Sequence, residues 1–271
     1  MPELPEVETV KEGIKIIANL KITNIFTSDK KLRINSANDF KLLKDQKVTN
    51  ITRRARYLIC DISNNYSLII HLGMSARLTI GPIFSNFKHD HFACQFANNK
   101  WLIFNDPRRF GFIDLIDSNK IKDHKFLKNL GPEPLSKDFN NNYFYSKLQK
   151  KNINIKTTIM DNKIVVGVGN IYASESLFDS KISPLTIASK LTQNQSEQLL
   201  KSIKKVIKKA IKLGGSTISD YVNASGEFGG YQSNFKVYNK NNQPCSICDN
   251  KIIRIVQNNR SSFYCPNCQS D

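Results

Sequence analysis

The sequence predicts a multidomain α and β protein: an N-terminal helix plus an antiparallel β-sandwich, a helical domain, and a C-terminal four-cysteine zinc finger. Three observations carry this. Eight short β-like runs crowd residues 21–116. A stiff break, Leu130-Gly131-Pro132-Glu133-Pro134-Leu135, follows, and beyond it apolar residues recur at helical spacing. Two Cys-x-x-Cys pairs then close the chain. The expected boundaries are 1–130, 131–235 and 236–271.

At the start, Pro5 suits a first helical position, where its missing N–H is not needed. Glu6 and Glu8 favour the positive end of the helix dipole. Val7, Val10, Ile14 and Ile17 form one apolar face, so the helix should run to about Leu20. The runs 21–26, 47–51, 57–62, 67–72, 76–80, 91–96, 101–105 and 112–116 are separated by turn residues such as Gly81-Pro82 and Asn98-Asn99. Short strands at that spacing make a sandwich or barrel. Past the break, one helix is expected over 136–150 and two more over 156–161 and 171–179. Thr192 with Gln195 reads as a capping box. After it, Leu199, Leu200, Ile203, Val206, Ile207, Ala210 and Ile211 mark one helix face, and six lysines between 201 and 212 fill the other as a solvated surface. Gly214-Gly215 ends that helix. The glycine-rich stretch through Gly230 suits a mobile loop hinged at the paired glycines, or a passive linker.

The chain of 271 residues, 40% hydrophobic and 23% charged, has the composition of a soluble globular protein. Lys+Arg 40 against Asp+Glu 23 gives +17, which favours an anionic partner. Nucleic acid leads because aromatics are interleaved among the basic residues. An anionic membrane is second, but no apolar run approaches the ~20 residues of a spanning helix. The acidic start is unlike a signal peptide, so a cytoplasmic location is expected. In that reducing compartment the paired cysteines point to metal. Cys60 and Cys94 lie in strand-like runs and read as small core residues.

Cys245, Cys248, Cys265 and Cys268, with sixteen residues between the pairs, have zinc spacing. Four thiolates close the shell, so one Zn²⁺ would be structural. Between the pairs, 251–256 and 261–264 can form a hairpin with 257–260 as its tip. Arg260 there is either a bidentate phosphate ligand or one more exposed arginine. Gly167-Val168-Gly169-Asn170 opens a helix and is either a phosphate cradle or a plain helix corner. Arg108 with Phe110, in Asp106-Pro107-Arg108-Arg109-Phe110-Gly111, could wedge into a base stack, while Phe110 and Met74, after His71-Leu72-Gly73, also read as core. Lys88-His89-Asp90-His91 lacks a ligand cluster, so polar or phosphate contact is expected there. At the N-terminus, Pro2 follows an initiator Met1 that an aminopeptidase can remove. The freed amine would titrate near ~7.7–8.0 and be nucleophilic, with Glu3 beside it to move protons. The alternative is an exposed start with proline at the mouth of a helix.

Together these motifs, in this order and across nearly the whole chain, resemble the formamidopyrimidine-DNA glycosylase family of bacterial 8-oxoguanine repair enzymes. The resemblance rests on Pro2-Glu3-Leu4-Pro5-Glu6-Val7-Glu8, His71-Leu72-Gly73-Met74-Ser75, the Asp106–Gly111 and Leu130–Leu135 motifs quoted above, Met160-Asp161-Asn162-Lys163 running into Val165 through Tyr172, and the four cysteines. It implies a helix–two-turn–helix module and a monomer that flips oxidised purines out of duplex DNA, excises them and cleaves abasic sites. It implies Pro2 as nucleophile and Glu3 as general acid/base. Asn170 and Arg260 would hold phosphates, and His89 and Lys151 would touch the backbone. Met74, Arg108 and Phe110 would fill the gap left by the flipped base, and 216–235 would close over the lesion. Such an enzyme is bacterial, cytoplasmic and nucleoid-associated when bound to DNA. One position departs: Arg56 stands in Arg53-Arg54-Ala55-Arg56-Tyr57-Leu58 where the family has a lysine assigned as proton donor. Arginine keeps the charge but does not release a proton. The close alternative is the related endonuclease VIII branch, which prefers oxidised pyrimidines; a non-catalytic damage-binding protein, which an intact Pro2-Glu3 argues against, and a zinc-ribbon RNA-binding protein are the others. Met74 and Arg108-x-Phe110 favour the purine branch.

Overall fold

The computed structural model describes residues 1–34, 36, 38–217 and 221–269. The chain forms two compact units, Met1–Lys128 with Leu213–Gly230, and Asn129–Lys212 with Tyr231–Asp271.

The first unit opens with α1 (Leu4–Ile14), whose Leu4, Val7, Val10 and Ile14 are buried. The helix stops short of Leu20. The turn Lys15–Ile17 tightens to a 3₁₀ helix, and left-handed Asn19 (φ 63) redirects the chain. β-branched Ile16 and Ile17 and a turn-favouring asparagine are weak helix formers. Eight strands follow: β1 (Ile22–Thr27), β2 (Val48–Arg54), β3 (Tyr57–Ile62), β4 (Tyr66–His71), β5 (Arg77–Gly81), β6 (Asp90–Phe96), β7 (Trp101–Asn105) and β8 (Phe112–Asp117). They pair antiparallel in two four-stranded sheets, ordered β1-β6-β7-β5 and β2-β3-β4-β8. Phe92, Cys94 and Phe104 from one sheet and Leu58, Cys60 and Ile70 from the other share one core with Val7, Val10 and Ile14 of α1. Burial pushes the Cys60 thiol up to about 12, as expected of an inert core cysteine.

The glycine-rich segment belongs to this unit. Ile80 N–H, on β5, donates to Ala224 O at 3.0 Å. A Cβ on Gly13 would fall 2.6 Å from Ala224 Cβ, so α1 passes close beneath the segment. Positions 218–220 of the expected lesion loop lie outside the described residues.

The second unit holds α2 (Asn141–Leu148), α3 (Ile155–Ile159), α4 (Asn170–Asp179) and α5 (Gln193–Lys212), then β9 (Ile253–Gln257) and β10 (Arg260–Tyr264). The helix expected from 136 starts at Asn141. Asn140 is extended, and its side chain accepts the Tyr143 N–H at 3.0 Å, an N-cap that sets the start. Phe139, just before it, is buried against Phe144. Thr192 and Gln195 form the capping box anticipated for α5, and the apolar face from Leu199 to Ala210 is buried. On α4, the buried Glu175 carboxylate accepts the N–H groups of Lys236, Val237 and Tyr238 at 2.8–3.0 Å. That anchors the chain entering the finger. The finger hairpin is tighter than expected: Asn258 and Asn259 (φ 46 and 58) make a two-residue turn. Arg260 is therefore the first residue of β10, paired with Gln257, and not part of the tip. Among the described residues no helix is long and apolar enough to cross a membrane.

Candidate active site

In the first unit, Pro2 is buried and Glu3 is 4% exposed at the N-cap of α1. The Glu6 carboxylate holds this start in place. One oxygen accepts the Glu3 N–H at 2.8 Å, and the other accepts the Ser216 N–H at 2.7 Å. Gly215, at φ +76, lies so close that a Cβ there would sit 2.8 Å from Glu6 Oε1. The Tyr221 hydroxyl donates to Glu6 O at 3.2 Å. Glu6 thus ties the N-cap residue to the glycine-rich segment. Sequence reading treated Glu6 only as a dipole partner; its position three residues after an N-cap was the available signal.

Ala55 (φ 54) and Arg56 form the tight turn between β2 and β3. The Arg56 guanidinium is largely buried, with Nη1 3.7 Å from Met1 Sδ. Burial first, then the charges of Arg56 and Arg33, holds His71 down to about 4, so its ring is neutral at physiological pH. Gly73 N–H donates to His71 Nδ1 at 3.2 Å, which leaves the proton on Nε2.

Met74 and Phe110 are 46% and 51% exposed, so their core reading fails, and Arg108, two residues before Phe110, is exposed as well. His89 is half-buried, and its carbonyl accepts the Asp106 N–H. Asp90 is spent on the Phe87 N–H and the Asn105 side chain. Among the described residues, the four cysteines make the one group with metal-ligand geometry.

In the second unit, Asn170 opens α4 and donates from Nδ2 to Ser261 O at 3.0 Å. Lys156, 2% exposed, directs its ammonium to Asn170 Oδ1 (2.6 Å), Ser262 Oγ (2.7 Å) and Ser261 O (2.9 Å). All three N–H groups are therefore used. Sequence reading missed Lys156, and in a chain this rich in lysine nothing local marks it. Asn170, Tyr238, Arg254 and Arg260 line a recess of about 450 Å³. Gly167 N–H goes to Asn162 Oδ1, so that glycine serves the turn. Lys151 Nζ lies 3.3 Å from Asp161. The cysteine Sγ atoms all fall within 4.8 Å of one another. A tetrahedron built on ~2.3 Å Zn–S bonds has edges of that order. The Asn250 backbone N–H, first among its neighbours, lowers the Cys248 thiol, while burial raises those of Cys265 and Cys268.

The formamidopyrimidine-DNA glycosylase N-terminal domain matches residues 1–113, the corresponding H2TH domain matches 130–222, and the zinc finger found in FPG and IleRS matches 242–270. A formamidopyrimidine-DNA glycosylase of Wolbachia pipientis subsp. Culex pipiens (strain wPip) is 44% identical over 273 residues, covering 100% of both chains. The chain belongs to the formamidopyrimidine-DNA glycosylase family. Wild-type Lactococcus lactis Fpg in complex with DNA containing N7-benzyl-Fapy-dG superposes with a TM-score of 0.90 at 34% identity, over 100% of each chain. The same enzyme with DNA containing an abasic site gives 0.90 at 34% identity, over 99% of this chain and 100% of that one. As a member of the formamidopyrimidine-DNA glycosylases, the chain is a DNA-binding repair glycosylase, and its cysteine cluster holds one structural Zn²⁺.

Proposed function

We propose that the protein is a bifunctional DNA glycosylase and AP lyase, removing 8-oxoguanine and formamidopyrimidines from duplex DNA in base excision repair. One observation carries the proposal: Pro2 and Glu3 are both buried at the mouth of α1, with Glu3 as the N-cap of that helix. The Lactococcus lactis complexes with N7-benzyl-Fapy-dG and abasic-site DNA support the substrate class. The protein acts as a cytoplasmic monomer, on the nucleoid when bound to DNA.

The reacting bond is inaccessible inside the stack, so the nucleotide is first flipped out. After removal of Met1, the Pro2 amine attacks C1′. The C1′–N bond breaks and its electron pair leaves with the base, which is protonated. The amine loses its own proton, and the sugar opens to an iminium ion. That cation acidifies the C2′ proton. Its loss expels the 3′-phosphate by β-elimination, and a second elimination expels the 5′-phosphate. Glu3 carries protons in these steps. Asn170 and Arg260 grip phosphates around the lesion, with His89 and Lys151 on the flanking backbone. Met74, Arg108 and Phe110 occupy the vacated stack.

Borohydride added during incubation with an 8-oxoguanine duplex tests this. The parent should form a covalent protein–DNA adduct, and the double variant Pro2→Gly with Glu3→Gln should form none. An adduct that persists in the double variant overturns the mechanism.

Arg56 keeps its charge and grips phosphate but is a poor proton donor. Arg56→Lys should leave base excision unchanged and speed strand scission at a preformed abasic site by ~3–10-fold. Equal scission rates for the two proteins would show that no proton passes through this position.

A further inference from the structure

Two exposed apolar tips, Met74 and Phe110, sit on loops far apart in sequence but joined in space. The join is backbone against backbone. Gly73 is left-handed (φ +57), and a Cβ there would lie 2.5 Å from Phe110 C and from Gly111 N. A Cβ on Gly111 would in turn lie 2.6 Å from His71 O. A side chain at either glycine would separate the loops.

Asp106 sits at the centre of this contact with no exposed surface. Its Oδ1 accepts from Ser75 Oγ at 2.7 Å and from Arg108 N–H at 3.3 Å, and its Oδ2 accepts from Gly111 N–H at 2.7 Å. One carboxylate therefore holds both ends of its own loop and the residue next to Met74. The two 2.7 Å bonds, from Ser75 and Gly111, have the length of strong charge-assisted hydrogen bonds, and the buried setting keeps water from competing. The loop is also fixed from behind. His91 Nε2 lies 3.1 Å from Asp106 O, and the His91 Nδ1 is 3.0 Å from Ser28 Oγ. A carbonyl only accepts, so Nε2 carries the proton and Ser28 donates to Nδ1.

We infer that the Met74 loop and the Arg108–Phe110 loop are one rigid wedge, locked by Asp106 through Ser75, and that Asp106 and Ser75 are positioning residues for opening the base stack. This rests on the proposed function for the wedge's target, a duplex with a flipped nucleotide. The physical gain is preorganisation. Three side chains that must enter one gap together do so without ordering two loops during the encounter. The lock touches no reacting atom. It should therefore matter where a stack must be opened and not where it is already open.

The test uses full-length protein, Ser75→Ala and Asp106→Asn, and two readouts. In Asp106→Asn one oxygen becomes an NH₂ facing a donor, which breaks one arm of the lock at nearly constant volume. Ser75→Ala removes a single hydrogen bond and guards against a folding failure in the other variant. The first readout is 2-aminopurine fluorescence beside an 8-oxoguanine in a duplex, which reports unstacking without chemistry. The second is cleavage of an abasic site in a single-stranded oligonucleotide, where there is no stack to open. Unstacking and excision in the duplex should slow by ~10–100-fold in Asp106→Asn and less in Ser75→Ala, with single-strand cleavage unchanged. Parent-like unstacking in both variants, or an equal loss on both substrates, overturns the inference. A parent that unstacks the duplex but never cleaves it would defeat the proposed lyase and leave the wedge standing. A parent that fails to unstack defeats the wedge.

Discussion

Replacing Lys156 by methionine should weaken binding to abasic-site duplex DNA by ~10–100-fold, about 1.4 kcal/mol for each factor of ten. The buried ammonium is the common partner of the Asn170 side chain and of two consecutive residues of β10, Ser261 and Ser262. Ser262 passes the contact on to Gln257 Oε1 at 2.6 Å, across the hairpin. Without the lysine, Asn170 keeps only its own bond to Ser261 O, and its Oδ1 loses the donor that orients the amide. Arg260 stands one residue before Ser261 at the start of β10. The two phosphate candidates of this unit are thus aligned through one nitrogen. Stability should suffer less than binding. Methionine conserves much of the volume and removes the desolvation cost of a buried charge. Against that stand orphaned acceptors worth ~1–3 kcal/mol each when buried. The net effect on folding is a modest drop in melting temperature, while the loss of alignment acts fully on DNA binding. Calorimetric melting and fluorescence anisotropy with abasic duplex measure the two. A Lys156→Met protein that binds like its parent would show that Asn170 and Arg260 are aligned without it.

The contrast between Lys156 and the sheet strands shows what the sequence exposes. β3 and β7 fall on their expected residues, because short apolar runs bounded by turn residues depend only on local pattern. The zinc ligands are legible for the same reason, their chemistry being written in spacing. Two of the three partners of Lys156 lie more than a hundred residues away, and Asp106 is defined by Ser75, thirty-one residues earlier. Neither residue differs in type from its solvated neighbours. The start of α2 was misplaced because Asn140 outcompetes the helical tendency of 136–139 with a local cap. Arg260 was assigned to a tip because two consecutive left-handed asparagines shorten the turn by more than composition suggests.

Removing zinc should unfold the finger and leave the first unit intact. The finger's two strands form a lone hairpin, which is marginal in water by itself. The buried apolar residues it contributes, Val237, Ile252 and Phe263, supply ~2 kcal/mol each. Zinc binding at a four-thiolate site is worth on the order of 10 kcal/mol or more. The metal therefore decides whether β9 and β10 exist. Their loss also removes Ser261 and Ser262, two of the three partners of Lys156, and releases Arg260 from its fixed place. Binding to abasic duplex should fall at least as far as in Lys156→Met, since both effects act together. Hydrogen exchange before and after chelation, with metal content measured in parallel, tests the claim. The amides of β9 and β10 should lose protection, while those of β3 and β4, in the sandwich core, should keep theirs. Cys245→Ser should reproduce the effect of chelation, because Cys245 is fully buried within the finger. Retained protection across β9 and β10 in metal-free protein would show that the hairpin is held by its own side chains, with zinc an addition to a fold already made.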